Sequence, residues 1–132
     1  MKNINKNFIG GVLAIMMLIS SPACNQYGTK LEFNGGELYY TKNVTETEAK
    51  KFGEFLLKEE FFDGREKSVQ LDKSGSTYQF RMVIKPELQN DESYAEKVKL
   101  FASELSANFF NNTPIEIHLC DENLKTVRVV KS

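Results

Sequence analysis

The chain has no tryptophan, one histidine and two cysteines, and its charge shows no strong bias. These three residues are too few for the structural zinc sites, which use four cysteine and histidine ligands. The 17 basic residues nearly balance the 18 acidic ones, and no basic stripe marks a nucleic-acid interface. Phosphate-binding loops, nucleophile elbows and other short catalytic motifs are also missing from the sequence. We therefore predict no metal, no cofactor and no nucleic-acid partner.

An apolar run follows a basic start at the N-terminus. Lys2 and Lys6 precede the run Phe8–Ile19, and small residues lead from this run to Cys24. A membrane-spanning helix needs about 20 apolar residues, and this run is shorter. The order of basic, apolar and small residues is typical of a secretory signal peptide. We predict that residues 1–23 are such a peptide and that the protein is exported.

The end of this segment resembles the lipobox of bacterial lipoproteins. Residues 21–24 read Ser-Pro-Ala-Cys, although Ser21 stands where that family prefers leucine and Pro22 is unusual there. The resemblance implies a diacylglycerol on Cys24, which would become the new N-terminus. Because two acyl chains suffice for stable anchoring, we expect the domain to be held at a membrane of the bacterial cell envelope by the short tether 24–29.

Ordinary signal-peptidase cleavage is the alternative. A cut after Ala23 would release a soluble secreted or periplasmic domain. In an oxidising compartment, Cys24 and Cys120 could then form a disulfide. The residues leave both cleavage reactions open.

The remaining residues 30–132 predict a single domain, since their number suits one hydrophobic core. Turn residues and hydrophobic periodicity give five elements, namely a hairpin over 30–40, a helix over 46–60, a hairpin over 68–85, a helix from Ser93 to about Asn111 and a hairpin over 115–130. The second strand of the last hairpin is predicted to begin at Leu124. This order predicts an α+β fold, with an antiparallel sheet of hairpins and both helices packed on one face.

Two further sequence patterns bear on the helices. Thr45 with Glu48, and Ser93 with Glu96, have the spacing of a capping box at a helix start. The spacing of apolar residues in 57–71 is repeated in 105–119, which suggests a duplicated helix-plus-hairpin unit. Chance similarity between amphipathic segments is the alternative explanation.

Strand alternation predicts that the helices cover Val69, Leu71, Phe80, Ile117 and Leu119 and that the opposite sheet face is polar. The candidate ligand or partner residues on that face are Gln79, Arg81, Glu116, His118, Cys120 and Arg128. One interpretation is a shallow surface for an anionic ligand or a partner. The other is an ordinary solvated sheet face, which antiparallel sheets commonly have.

His118 and Cys120 form the densest chemical pair in the chain. They stand two apart on a predicted strand, so both side chains should point the same way. Such a pair could share a metal or form a thiolate–imidazole pair. The chain offers no further histidine or free cysteine to complete a metal site, and the sequence contains no motif that indicates an oxyanion hole. We therefore predict no catalytic residue here.

Four short runs carry a wider resemblance. They are Phe-Phe-Asp-Gly at 61–64, Val-Gln-Leu at 69–71, Tyr-Gln-Phe-Arg at 78–81 and His-Leu-Cys-Asp at 118–121. Together they resemble small uncharacterised bacterial proteins, some of them predicted lipoproteins. The resemblance spans most of the exported domain, supports the expected location and implies no activity.

Two hypotheses follow for the function. The first is a non-enzymatic, membrane-anchored envelope domain that binds a protein partner or has an accessory structural role. The second is a small-ligand binder or weak enzyme that uses the polar sheet face around Arg81, His118 and Cys120. A concave site on that face would favour the second hypothesis, because ligand sites are concave.

Overall fold

A computed structural model describes residues 26–132 of the chain. The predicted signal peptide and the predicted anchor at Cys24 lie outside the described residues. Among the described helices, none has the length and apolar character needed to cross a membrane.

Two helices and six strands make up the fold. In chain order they are β1 Thr29–Phe33, β2 Gly36–Tyr40, α1 Glu46–Lys58, β3 Lys67–Ser74, β4 Thr77–Val83, α2 Glu92–Asn108, β5 Ile115–Cys120 and β6 Thr126–Lys131, with a 3₁₀ turn at Pro86–Leu88 before α2. The six strands lie in one sheet in the same order as in the chain. The predicted α+β fold is confirmed.

The sheet is mostly antiparallel but contains two parallel pairs. The three hairpins β1–β2, β3–β4 and β5–β6 are antiparallel, as the sequence predicts. The pairs β2–β3 and β4–β5 are parallel. They are parallel because each helix returns the chain to the end of the sheet where the previous strand began, as in any crossover connection.

Both helices pack on the same sheet face. Phe80 of β4 lies beneath them, with its ring centroid 5.2 Å from that of Phe52 in α1 and 6.2 Å from that of Phe101 in α2. Five sheet residues predicted to lie under the helices are buried, namely Val69, Leu71, Phe80, Ile117 and Leu119. The hydrophobic core therefore lies between this face and the two helices.

The two helical crossovers have opposite hands. β2 and β4 point in opposite directions, yet both crossovers step the same way along the sheet with their helices on the same face. These conditions can be met only if one crossover is right-handed and the other is left-handed, a hand seen in only about 2% of such connections. The suggested duplication stays a prediction, and the opposite hands weigh against it.

The predicted capping box at Thr45 and Glu48 is confirmed, and the one at Ser93 and Glu96 is wrong. Thr45 Oγ1 accepts from the Glu48 N–H at 3.1 Å, and a Glu48 carboxylate oxygen accepts from the Thr45 N–H at 2.9 Å. In α2, by contrast, the cap is Asp91, whose carboxylate accepts from the Tyr94 N–H at 3.1 Å. Asp91 therefore supplies the hydrogen-bond acceptor that the backbone N–H groups of the first turn need, and its negative charge is favourable at the helix N-terminus.

The last hairpin also differs from its predicted bounds. β6 begins at Thr126 and not at Leu124, which lies in the turn with φ +60° and donates its N–H to the Asp121 carbonyl at 3.0 Å. The Asp121 carboxylate accepts from the N–H groups of Asn123 and Lys125 and so fixes this turn. Leu124 is nevertheless buried, which explains its strand-like appearance in the sequence.

A glycine allows the close contact between α1 and β1. A Cβ atom added at Gly53 would lie 2.2 Å from the Phe33 ring, and that ring is itself stacked on Phe62 with a centroid distance of 5.8 Å. The Phe33 ring therefore has little room to move away. The helix comes this near to the sheet edge because position 53 has no side chain.

Gly53→Ala should therefore destabilise the protein although alanine is the better helix former. We expect a loss of about 1–2 kcal/mol in the free energy of unfolding, since overpacking costs about 1–3 kcal/mol and helix propensity returns at most about 1 kcal/mol. Urea denaturation measures this loss. Glu54→Ala, at an exposed position of the same helix, is the control, and Phe33→Leu in the Gly53→Ala background should restore part of the stability. An unchanged midpoint for Gly53→Ala would contradict the tight contact.

Candidate functional site

The sheet face turned away from the helices is covered by no described helix. Its side chains are predominantly polar, and we call it the open face. It carries Lys30, Glu32, Glu37, Tyr39, Ser68, Gln70, Asp72, Gln79, Arg81, Val83, Glu116, His118, Cys120, Thr126, Val129 and Lys131. The structure thus brings together five of the six residues that the sequence singled out.

Arg81 stands at the centre of the open face. Across the strands it pairs with Gln70 of β3 on one side and with His118 of β5 on the other. His118 in turn lies opposite Val129 of the edge strand β6. Because cross-strand partners have neighbouring side chains, this row places the guanidinium between an amide and the only histidine of the chain.

A chain of hydrogen bonds links Arg81 to Glu116. The Arg81 guanidinium donates to Thr126 Oγ1, which lies 2.9 Å from Nδ1 of His118. The other ring nitrogen, Nε2, lies 2.9 Å from a Glu116 carboxylate oxygen. Since a carboxylate only accepts, Nε2 carries a proton, and in the neutral ring Nδ1 accepts from the threonine hydroxyl. The order of donors therefore runs from the arginine to the carboxylate.

The partners of Glu116 stabilise its charged form. The hydrogen bond from His118 is the main reason why the pKa of Glu116 is lowered, and partial burial opposes this effect. The Gln79 amide is a further donor to the same carboxylate, at 3.4 Å. The carboxylate thus fixes the His118 ring, which is only 7% exposed.

Cys120 takes no part in a thiolate–imidazole pair. Its Sγ donates to the backbone carbonyl of His118 at 3.3 Å and not to the ring. The residue is fully buried, and burial raises the pKa of the thiol, so the reactive thiolate is disfavoured. Among residues 26–132, no group of three or more histidine, cysteine, aspartate or glutamate side chains could hold a metal ion.

The placement of Arg128 on this face is wrong. Arg128 lies opposite Leu119 on the helix-covered face, and its guanidinium contacts both carboxylate oxygens of Glu92 in α2 at 3.0 and 3.1 Å. Valines at 127, 129 and 130 put apolar residues on both sides of β6, so alternation alone does not specify its orientation.

Thr126 is the site residue that the sequence analysis missed. Alternation from Val130 and Arg128 would place it on the helix-covered face. A register shift between Leu119 and Cys120 leaves Val127 without a partner and sets Thr126 opposite Cys120. An irregularity of this kind changes the face to which side chains point, and no residue in the sequence of β6 predicts it.

The N-terminal residues of the described chain are held against the open face. The Gln70 amide donates to the Tyr27 carbonyl at 2.8 Å, and the Tyr27 ring lies edge-on to Tyr39 with centroids 5.5 Å apart. Burial is the main reason why the pKa of Tyr39 is raised. The chain therefore enters the domain beside β2 and β3.

The clefts formed by the described residues lie mainly at the ends of the sheet. One of about 480 Å³ lies between the start of β3, the end of β4 and α2, and its wall includes Phe61, Met82 and Tyr94. The described clefts are lined by none of Arg81, His118 and Cys120.

Comparison with known proteins gives one match. A model of an uncharacterised family, described as a family N-terminal domain, matches residues 30–132. No curated protein and no solved structure matches the chain significantly.

Proposed function

Because the chain belongs to this uncharacterised family of N-terminal domains, we propose its function from its own geometry. The protein is an exported, lipid-anchored domain of the bacterial cell envelope that binds a protein partner through its open face. Lipidation at Cys24 supplies the anchor, and the partner is another envelope protein.

The composition of the open face is the main observation in favour of partner binding. Arg81 is central, and arginine is among the residues that dominate binding energy when they lie in the middle of an interface. Val83 lies two residues along β4, Val129 lies beyond His118 in the same cross-strand row, and they are 37% and 42% exposed, so exposed apolar area lies near Arg81. A face that combines an arginine with exposed apolar side chains has the composition of a protein interface.

The tether supports the same proposal. Only Asn25 and Gln26 separate Cys24 from Tyr27, which is fixed against the open face. An extended chain spans at most about 3.6 Å per residue, so a lipid on Cys24 would lie within about 11 Å of Tyr27. The open face is thereby held near the membrane, where an envelope partner would be encountered.

A small-ligand or weakly catalytic function of the same face is the second candidate. The hydrogen-bonded chain from Arg81 through Thr126 and His118 to Glu116 favours it. A hydroxyl, an imidazole and a carboxylate in sequence are the parts of an activated nucleophile.

Site-specific photocrosslinking in intact cells tests the partner-binding proposal. A photoreactive residue at position 79 or 129 of the open face should trap one discrete protein. The same probe at Leu100, an exposed position of α2, should not trap it. Arg81→Ala should weaken the crosslink about thirtyfold, which corresponds to a loss of about 2 kcal/mol at an interface hot spot.

Arg65→Ala is the matched control, since Arg65 is highly exposed in the loop before β3. It should leave the crosslink unchanged. If the probe at position 100 traps a protein and Arg81→Ala does not weaken that crosslink, the interface lies on the helices and the proposal for the open face is wrong. A chain that is never crosslinked would refute partner binding.

A further inference from the structure

Thr126, His118 and Glu116 meet the geometric requirements of a nucleophile, a general base and an orienting group. Each of the two contacts between them measures 2.9 Å, which is within the range for proton transfer. The nucleophile and base lie on neighbouring strands β6 and β5, and rigid strands hold such a set more precisely than loops do.

Arg81 adds the fourth part that acyl transfer needs. Its guanidinium donates to Thr126 Oγ1, so it lies beside the atom that would attack and stabilises negative charge there. The remaining N–H groups of a guanidinium can donate to an oxyanion that forms on the adjacent carbon. Thr126 is only partly buried and lies on the open face, where a substrate could reach it.

We propose that Thr126 is an acyl acceptor that cleaves small carboxylic esters, with His118 as general base, Glu116 as the residue that orients it and Arg81 as the oxyanion donor. The inference rests on the second candidate function, and it uses Arg81 and Val129, which also serve the partner-binding proposal. Val129, beside His118 on the open face, offers apolar surface to a short acyl group.

The reaction has two steps. In the first, Thr126 Oγ1 forms a bond to the carbonyl carbon and its proton passes to His118 Nδ1. The bond to the leaving alcohol then breaks, and the alcohol departs with its electron pair and that proton. In the second, water attacks the acyl-threonine, His118 again takes and returns a proton, and the carboxylic acid is released. The Glu116 carboxylate stabilises the imidazolium in both steps.

Acetylation by p-nitrophenyl acetate tests the proposal on the purified full-length protein. We expect a burst of one p-nitrophenolate per chain and an acetyl group on Thr126 that hydroxylamine removes. Thr126→Val keeps the shape but lacks the hydroxyl and should abolish the burst. His118→Gln should slow the burst about a hundredfold, the lower range of general-base contributions.

Thr126→Ser is the rescue variant, because it retains a hydroxyl and should still be acetylated at position 126. Thermal melting shows whether the valine variant is folded. If it is not, acetylation of the serine variant at position 126 still tests the proposal. Acetylation confined to lysines, which resists hydroxylamine, would overturn the proposal, as would a full burst in Thr126→Val. Because the Thr126 variants retain Arg81, their crosslinking reports on partner binding separately.

Discussion

Cys24→Ser should release the protein from membranes. Serine cannot form the thioether to a diacylglycerol, so the variant would lose every acyl chain. Each buried CH₂ contributes about 0.8 kcal/mol, and a protein without any chain keeps no comparable membrane affinity. We expect the wild-type protein in the membrane fraction and nearly all of the variant outside it. Fractionation followed by intact mass measurement checks this result.

Cys120→Ser is the matched control, since it makes the same change at the only other cysteine of the chain. Cys120 is buried within the sheet, and its replacement should leave the protein in the membrane fraction with the full acyl mass. A wild-type protein that is soluble, cut after Ala23 and lighter by two hydrogens would contradict the anchor. It would instead establish a Cys24–Cys120 disulfide.

Phe52→Ala should have the largest effect on stability. Phe52 is fully buried, and its ring centroid lies 5.2 Å from those of Phe80 and Phe109 and 5.4 Å from that of Phe110. Its removal leaves a cavity where α1, the end of α2 and the sheet meet. We expect a loss of about 3–5 kcal/mol in the free energy of unfolding, which is a large share of the stability of a domain of this size.

The measurement is urea denaturation, in which the midpoint should fall while the slope stays close to that of the wild type. Leu100→Ala is the control because Leu100 is 67% exposed on α2, and its effect should stay within about 0.5 kcal/mol. A loss below about 1 kcal/mol for Phe52→Ala would show that this aromatic cluster is not the centre of the core.

The sequence by itself determined the elements and the core. Phe52 recurs with its neighbours at helical spacing, and Leu71 and Phe80 alternate with polar residues, so periodicity alone identified what is buried. Local chemistry sufficed for the Thr45 cap and for the turn at Asn34 and Gly35, both of which have positive φ. The predicted export signal and anchor depend only on residues 1–24 and stay predictions.

Only the tertiary structure decided the pairing of the strands and the composition of the site. Nothing local tells a helix which way to cross the sheet, so the two parallel pairs and their opposite hands follow from the packing of both helices on one face. The register shift in β6 turned Thr126 onto the open face and left Arg128 under α2. Hydrogen bonds between separate strands then joined Thr126 to His118, a contact that depends on register and that a single strand's sequence does not encode.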